Sequence, residues 1–301
     1  MYFVTFNEAI AHATAALMSR GVEVDAGSWQ GYETKGKPDL VTIELLNLMF
    51  ECPIEVQTGI GDIFELRDLP GVLAEQIQPN LPWADDHFDE RVSRDPSNPG
   101  EEYKNWPWWQ GQSEARICRS CGEREGRTHL DTCPGYFDEP IFTHTYQERF
   151  WPKYAGSLER IEGQEIYGIR YEYGDLDDVV SLLAKNPFTR QATFPIFFPE
   201  DTGAVHGGRI PCTLHYHFLL RNGRLNLWYP IRSCDLVRHF RDDVYLACRL
   251  LIWVIQELRE RELRGEHGDS PQFWVDVDPG TLFFTAYSFH VHKGDIHHVR
   301  H

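Results

Sequence analysis

The sequence has little positive charge and no long apolar run. Lysine and arginine total 29 against 46 aspartates and glutamates, which gives a formal net charge of −17. A general nucleic-acid binder needs a basic surface that neutralises phosphates, so this composition argues against one. No stretch approaches the run of about 18 apolar residues that predicts a membrane-spanning helix. We therefore expect an acidic protein outside the membrane, with local arginines if its substrate is anionic.

Two further absences bear on the compartment. The N-terminal residues 1–21 lack the basic start and the cleavage pattern of a secretory signal peptide. Seven cysteines, an odd number spread over 301 residues, do not make the dense, even set of a disulfide framework. These features favour a reducing cytoplasm.

The remaining pattern predicts an α+β fold in one domain over residues 1–301, with a mixed or antiparallel sheet beside one long helix. Asn222-Gly223 predicts a tight hairpin turn, because both residues tolerate a positive φ. Residues 40–50 are a buried element, either helix or strand. Proline and tryptophan are frequent in residues 79–111, which predicts irregular structure with short helices, or a loop over a site. The predicted helices are 5–20, 174–185 and 236–264, and the predicted strands are 191–198, 212–220, 224–230 and 281–292.

Residues 112–138 have the composition of an insertion, with few aliphatic residues and many charges. Three thiols and one imidazole lie within it, a ligand set that suits a closed, tetrahedral structural zinc site. The alternative is a loop with reduced cysteines, but a segment so poor in apolar residues needs another source of folding energy. The predicted zinc ligands are Cys118, Cys121, His129 and Cys133.

The segment 186–243 carries the candidate chemistry. A cysteine beside arginines can have a lowered pKa and act as a nucleophile, which makes Cys212 a candidate, although a buried, inert thiol is the alternative. Arg190 and Arg232 could bind a phosphate through two donors each, or they could be ordinary surface ion-pair partners.

Four blocks of this segment resemble the thymidylate synthase superfamily. They are NPFTRQ (186–191), IPC (210–212), RSCD (232–235) and Asp243. Arg232 follows Cys212 by 20 positions and Asp243 follows Arg232 by 11, and both intervals match those of the family. The resemblance is good over 165–258, moderate at 281–292 and weak before 150. It implies a thymidylate synthase-like fold and a homodimer whose sheets pack together.

The resemblance also implies roles for single residues. Cys212 would attack carbon 6 of a pyrimidine nucleoside monophosphate, and Arg232 and Ser233 would hold its 5′-phosphate. Arg190 would reach the phosphate of the partner subunit, although Gln191 replaces the second arginine of that element. Asp235 would lie near the base and the folate. His290 fits the ribose-contacting His-x-Tyr element, in which His292 replaces the tyrosine.

Asp243 stands where thymidylate synthases have asparagine. Phage deoxycytidylate hydroxymethylases have aspartate at this place, and the chain resembles them in that respect. An aspartate can accept from the 4-amino group of cytosine and can bond N3 as well if either partner carries a proton. The alternative is that Asp242 or Asp243 is only a solvated charge on the helix.

The upstream assignments rest on weaker similarity. PWADDHFDERVSRDPSNPG (82–100) resembles a segment of phage base-modification proteins, and it implies that Glu90 is the glutamate that relays protons through water. The tryptophan over the site, which contacts the folate, would be Trp108 or Trp109. The tyrosine near the pyrimidine would be Tyr146.

The end of the sequence favours one product. Thymidylate synthases continue beyond the His-x-Tyr element into a tail that shields the intermediate during hydride transfer, whereas this sequence ends nine residues after His292. Water should therefore reach the intermediate and give a hydroxymethyl group, unless another segment covers the site.

The sequence thus predicts a transferase that converts dCMP and 5,10-methylenetetrahydrofolate to 5-hydroxymethyl-dCMP, for phage DNA modification in the host cytoplasm. The alternatives are the same reaction on dUMP, or methylation of the thymidylate synthase type. A zinc deaminase needs a His/Cys-x-Glu element with Pro-Cys-x-x-Cys, which Cys118 and Cys121 do not provide. A zinc-knuckle nucleic-acid binder conflicts with the net charge, although residues 116–127 carry four arginines.

Overall fold

The computed structural model of the chain describes residues 1–29, 32–54, 65–108, 142, 144–155, 170–204, 209–266 and 273–299. The α-helices of this part are α1 Phe6–Arg20, α2 Leu69–Ile77, α3 Trp83–Val92, α4 Glu101–Lys104, α5 Tyr146–Phe150, α6 Leu176–Lys185 and α7 Phe240–Leu263. The strands are β1 Val22–Val24, β2 Ser28–Trp29, β3 Tyr32–Glu33, β4 Thr42–Pro53, β5 Thr193–Pro195, β6 His215–Arg221, β7 Arg224–Asp235 and β8 Asp278–His292. Short 3₁₀ helices cover Pro38–Leu40, Pro199–Ala204, Trp274–Asp276 and Lys293–His298.

A mixed sheet organises the molecule. Its strand order is β1-β4-β8-β7-β6-β5, and β2 and β3 form a separate two-stranded ribbon. Every neighbouring pair in the large sheet is antiparallel except β7 and β8, which are parallel. The predicted α+β class with a mixed sheet is therefore confirmed. Because β7 and β8 run in the same direction, their carboxyl ends meet at one edge, where Asp235 pairs with His290.

The predicted hairpin joins β6 to β7. Asn222 and Gly223 have φ values of 53° and 74°, as a type I′ turn requires at both central positions. The pairing continues past the strand end, where the amide of Arg232 donates to the carbonyl of Cys212 at 2.8 Å. The interval between these two residues is thus the length of the hairpin that brings them together.

Helix α7 packs on the sheet and brings its first turn to the same edge. Phe240, Val244, Leu251 and Leu258 are fully buried along one face, as the predicted periodicity requires. The ring of Phe240 packs on Phe289, near the carboxyl end of β8, with ring centroids 4.8 Å apart. This contact holds the start of α7 next to the carboxyl ends of β7 and β8.

The other sequence predictions have mixed outcomes. Helices α1 and α6 confirm the predicted helices 5–20 and 174–185, and segment 40–50 is strand. The predicted strand 191–198 is wrong in length, because the chain leaves the sheet after Pro195 and the amides of both following residues converge on one carbonyl, that of Leu214. Helices α3 and α4 occupy the segment 79–111 as far as it is described, and the predicted insertion 112–138 lies outside the described residues. Among the described helices, none is long and apolar enough to cross a membrane.

Candidate active site

A cavity of about 520 Å³ lies where the carboxyl ends of β7 and β8 meet the start of α7. Helix α3 and the segment 209–212, directly before β6, contribute further walls. The predicted site residues that line it are Tyr146, Cys212, Arg232, Ser233, Asp235, Asp243, His290 and His292. Elements far apart in sequence therefore bring most of the predicted site into one cavity.

Cys212 lies half-buried in the cavity wall, beside two arginines. Burial raises the pKa of its thiol. The charges of Arg232 and Arg209 lower this pKa, whereas those of Asp243 and Asp235 raise it. Near neutral pH the side chain is therefore a neutral thiol, and thiolate formation depends on the charge of its neighbours.

Arg232 holds the backbone in front of Cys212. Its Nε donates to the carbonyl of Pro211 and its Nη2 to the carbonyl of Ile210, both at 2.9 Å. These two bonds leave other N–H groups of the guanidinium for a bound anion. Ser233, the next residue of β7, lines the same wall.

Arg209 is a cavity residue that the sequence analysis missed. It lies three positions before Cys212, and its charge acts on Cys212 and on the buried His144. The signal was its place in the short segment RIPC, directly before the predicted nucleophile. With Arg232 it gives the cavity a positive side within an acidic protein.

Asp243, in the first turn of α7, is a cavity carboxyl group with a raised pKa. Burial raises its pKa to about 7, the charge of Arg91 lowers it, and that of Asp242 raises it. The thiol of Cys234 lies 3.7 Å from its Oδ2. Both the acid and the carboxylate are therefore accessible near neutral pH, so the group can donate as well as accept a hydrogen bond.

Asp242, its neighbour, has a different role. Its carboxylate accepts from the backbone amide and the side-chain amide of Asn80, each at 2.8 Å. Burial raises its pKa to about 6 despite these bonds. Asp242 thus ties α7 to the segment before α3, whereas Asp243 lines the cavity and contacts the thiol of Cys234 through one of its oxygens.

Arg91 is the second cavity residue that sequence reasoning missed. It is buried on α3, and its guanidinium lies 4.0 Å from the centroid of the Tyr146 ring. Its Nε donates to Nε2 of His87, one helical turn earlier, at 3.0 Å. Burial, together with this guanidinium, places the pKa of His87 well below its usual value. Arg91 therefore supplies a fixed positive charge and His87 stays neutral.

Glu90, the predicted proton relay, is not among the residues that line the cavity. Its carboxylate accepts from the side-chain amide of Gln147 and lies against Gly100, where a Cβ would overlap it. Its Oε2 is 3.7 Å from Nδ1 of His87, which does line the cavity. The structure thus places Glu90 behind His87.

Tyr146 takes part in a chain of hydroxyl groups. Its hydroxyl lies 3.0 Å from that of Thr213, which in turn lies 3.0 Å from that of Tyr229. Burial raises the pKa of Tyr146 far above its usual value, so the phenol is neutral. A neutral phenol at the wall can donate or accept a hydrogen bond.

The aromatic walls differ from the predicted ones. Trp108 is described but does not line the cavity, since its ring lies against His298, and Trp109 is outside the described residues. Trp106, two positions earlier, does line the cavity and stacks on His239 with ring centroids 4.8 Å apart. Trp83 of α3 provides a second indole. The sequence signal, three tryptophans within four residues, located the segment but not the residue.

Arg190 lies away from the cavity. It is exposed, close to the edge strand β5. It is not among the residues that line the cavity.

Asp235, His290 and His292 form a compact group at the joined strand ends. One ligand atom of each lies within 4.8 Å of the others. Nε2 of His292 is 3.8 Å from Oδ2 of Asp235. The predicted zinc ligands Cys118, Cys121, His129 and Cys133 lie outside the described residues, so that prediction stays open.

The chain has recognisable relatives, although no protein-family model matches it. A putative thymidylate synthase of Methanosarcina barkeri is 23% identical over 171 residues, which cover 53% of this chain and 69% of that protein. The thymidylate synthase of Rhizorhabdus wittichii is 25% identical over 150 residues, 50% of this chain and 41% of that protein. A putative thymidylate synthase of Methanosarcina acetivorans is 24% identical over 141 residues, 47% and 56% of the two chains. The matches to the last two thus span less than two thirds of those proteins.

The fold comparison covers more of the chain. The thermostable thymidylate synthase A of Bacillus subtilis superposes with a TM-score of 0.55 over 98% of this chain and 82% of that one. At 11% identity this similarity concerns the fold alone. The chain is therefore similar to thymidylate synthases in sequence over about half of its length, and it shares their fold over nearly all of it.

Proposed function

We propose that the chain transfers a one-carbon unit from 5,10-methylenetetrahydrofolate to carbon 5 of dCMP and forms 5-hydroxymethyl-dCMP. The observation that carries this proposal is the position of Asp243, a carboxyl group with a pKa of about 7, in the same cavity as Cys212 and Arg232. The role of such a product in phage DNA modification belongs to the proposal as well.

Cys212 would activate carbon 5 of the pyrimidine for substitution. Its thiolate adds to carbon 6, and the electron pair displaced from the 5,6 double bond makes carbon 5 nucleophilic. The arginines beside Cys212 favour the thiolate, which forms when the thiol gives its proton to water. Transfer of the proton of Asp243 to N3 then neutralises the negative charge that the addition puts on the ring. Cys212 lies shortly before strand β6, is half-buried and lines the cavity. This position suits a nucleophile better than a place in the core would.

Asp243 would read the cytosine edge. A carboxylate oxygen accepts from the 4-amino group, and the proton that the raised pKa keeps available completes a bond to N3. A mispaired polar group costs about 1–3 kcal/mol when buried, enough for a ten- to hundredfold preference between bases. A neutral acid can also donate to O4 of uracil, so dUMP remains the alternative substrate.

The arginines would bind the phosphate. Arg232 keeps N–H groups free of its two backbone bonds, and Ser233 and Arg209 stand on the same wall. Two guanidinium groups and a hydroxyl match the oxygens of a monophosphate in number and charge.

A second subunit would supply Arg190. The sheet carries an apolar stripe that faces away from the core, where the rings of Trp228 and Phe283 stack with centroids 4.2 Å apart and Met49 and Tyr287 are exposed. Packing of two such stripes would bury them in a homodimer. The exposed Arg190 is then available to the partner's cavity.

The folate would lie along the aromatic wall. When bound, methylenetetrahydrofolate supplies the methylene carbon that carbon 5 attacks. Trp83 and Trp106 offer two indole faces for a flat ring, and the cavity volume is in the range typical of small-molecule sites. The chain's own residues would hold the pyrimidine covalently until the carbon 5 proton has left.

Hydroxymethyl and methyl products differ in what is added last. Water adds to the exocyclic methylene carbon in the first case and a hydride in the second, after which the bond from Cys212 to carbon 6 breaks. Glu90 does not line the cavity, but its Oε2 lies 3.7 Å from Nδ1 of His87, which does. Glu90 would therefore act on this water indirectly, through His87. The zinc site of residues 118–133 would have a structural role only.

The test is incubation of the chain with methylenetetrahydrofolate and either dCMP or dUMP, followed by mass analysis of the nucleotide. A gain of CH₂O from dCMP is the expected result, and a gain of CH₂ would identify a methylase instead. Asp243→Asn should move the preference towards dUMP by ten- to hundredfold. An unchanged base preference in this variant would contradict the assigned role of Asp243.

A further inference from the structure

The two histidines and the aspartate at the joined ends of β7 and β8 have the composition of a metal site. Two imidazoles and one carboxylate on one side of an open cavity are a common ligand set for divalent first-row transition ions. Asp235 and His290 are register partners on parallel strands, and His292 lies two positions further on the same strand. The fold therefore holds all three on one short piece of sheet.

Hydrogen bonds fix the orientation of His292. Its Nδ1 lies 3.2 Å from the carbonyl oxygen of Leu40, and since a carbonyl only accepts, Nδ1 carries the proton. In the neutral form of the ring the lone pair is then on Nε2, which faces Oδ2 of Asp235 at 3.8 Å. A metal-binding histidine is commonly oriented in this way, by a carbonyl bonded to its other nitrogen.

The carboxylate of Asp235 is oriented from the other side. Its Oδ1 accepts from the backbone amides of Val237 and Arg238, at 2.9 and 3.0 Å. Oδ2 is thereby directed at the histidines. Two atoms with lone pairs, Oδ2 and Nε2, thus face each other at a distance that a cation would bridge.

His290 adds an unsatisfied nitrogen. Its Nδ1 is buried and has no hydrogen-bond partner among the described residues. Glu44 pairs with His290 across β4 and β8, and it adds negative charge beside the group. Arg238 is the nearby cation, with its Nε 4.0 Å from Oδ2 of Asp235, but its guanidinium donates to Asp295 at 2.7–2.8 Å. The local field therefore favours a divalent cation.

We propose that Asp235, His290 and His292 bind a divalent first-row transition ion, such as Zn²⁺ or Fe²⁺, whose remaining positions open into the cavity. Bond lengths of about 2.0–2.2 Å place ligand atoms about 3–3.5 Å apart, so the group must close by little more than an ångström from its present spread. The open positions would take water or an oxygen atom of a molecule in the cavity. The same three residues were expected near the base, the folate and the ribose, so the ion would share the cavity with the substrate. Metal binding is measured without nucleotide or folate, so its failure would leave the proposed reaction untouched.

The experiment titrates Co²⁺ and Zn²⁺ into the full chain carrying Cys118→Ser and Cys121→Ser, which removes the predicted thiolate site. One Co²⁺ per chain is expected, with visible bands of nitrogen and oxygen ligands and without thiolate-to-cobalt charge transfer. Bound Zn²⁺ should also raise the unfolding temperature, because the ion binds the native state. Absence of binding by a variant whose circular dichroism matches that of the wild type would overturn the proposal.

Two added variants identify the ligands. His292→Asn keeps a donor for the carbonyl of Leu40 but removes Nε2, and His290→Asn removes the second imidazole; each should weaken metal binding at least tenfold. The double variant His297→Asn, His298→Asn, in the exposed 3₁₀ helix after β8, is the control and should bind as before. The ligand set would be overturned if His292→Asn and His290→Asn bound the metal as tightly as the parent chain, or if the control variant lost binding. A thiolate-to-cobalt band that disappears in Cys212→Ser would overturn it as well.

Discussion

Arg232 donates from Nε to the carbonyl oxygen of Pro211, the residue directly before Cys212, at a distance of 2.9 Å. The group that is proposed to bind the substrate phosphate therefore also fixes the backbone of the proposed nucleophile. Binding of an anion would restrain this guanidinium further, and with it the loop that carries Cys212. The affinity for the substrate phosphate and the position of the Cys212 thiol are thus coupled through the side chain of Arg232.

Arg232→Lys tests this coupling. Lysine keeps the charge but cannot donate to Pro211 and Ile210 while it binds phosphate, so both KM for dCMP and kcat should worsen. Charge-assisted hydrogen bonds contribute about 1.5–3 kcal/mol each, which predicts at least a tenfold loss in kcat/KM. The control is Arg221→Lys, near the hairpin turn. A change in KM alone would mean that Arg232 binds phosphate without positioning Cys212.

Asp243 should make the stability of the chain depend on pH. Its folded-state pKa of about 7 lies above the usual value of 3.8, so the stability that its protonated form provides declines as the pH rises from about 4 to about 7. Asp243→Asn removes this decline. The variant should gain about 1–2 kcal/mol more over the wild type at pH 8 than at pH 5. The part of the shift between pH 5 and the pKa corresponds to roughly 3 kcal/mol, and access to cavity water reduces it.

Urea unfolding at the two pH values measures that difference. Asp276→Asn, at an exposed site, is the matched control and should show no such trend. An equal effect of Asp243→Asn at both pH values would contradict a raised pKa.

The reactivity of Cys212 should respond to the same carboxylate. The negative charge of Asp243 raises the pKa of the thiol, so Asp243→Asn should lower this pKa. Alkylation of Cys212 by iodoacetamide at pH 8, followed by peptide mass spectrometry, should therefore be faster in the variant, and Asp276→Asn should have no effect. A slower or equal rate would place the carboxylate out of electrostatic reach.

Arg190 should act across the subunit interface. Arg190→Ala and Cys212→Ala are each expected to be impaired, but random mixed dimers contain one site without either substitution. Co-expression should therefore restore about a quarter of the wild-type activity. Activity equal to the mean of the two single variants would mean that Arg190 serves no partner site.

The local signals predicted much of this architecture. Asn222-Gly223 has backbone angles that few other pairs adopt readily, and the apolar face of α7 follows a simple periodicity, so both could be inferred from the sequence. The intervals from Cys212 to Arg232 and Asp243 were informative for a physical reason. The first interval is the length of the hairpin of β6 and β7, and the second is the length of the connection from β7 to the first turn of α7.

The missed residues depend on packing between distant segments. In the sequence, Arg91 is indistinguishable from an ordinary surface charge of an amphipathic helix. Only the packing of α3 beside α7 brings its charge close to Asp243. Trp106, rather than Trp108, lines the cavity because of its stacking on His239, which no local pattern encodes. The strand predicted for 191–198 ended early since Pro195 and its successors leave the ladder.

Release of tritium from [5-³H]dCMP in the presence of methylenetetrahydrofolate tests the central claim most directly. Loss of the carbon 5 hydrogen requires prior addition of a nucleophile to carbon 6, whichever one-carbon product forms. The wild-type chain and the control Cys248→Ala, a buried cysteine of α7 outside the cavity, should release tritium, and Cys212→Ala should not. Release by Cys212→Ala at the wild-type rate would contradict the account.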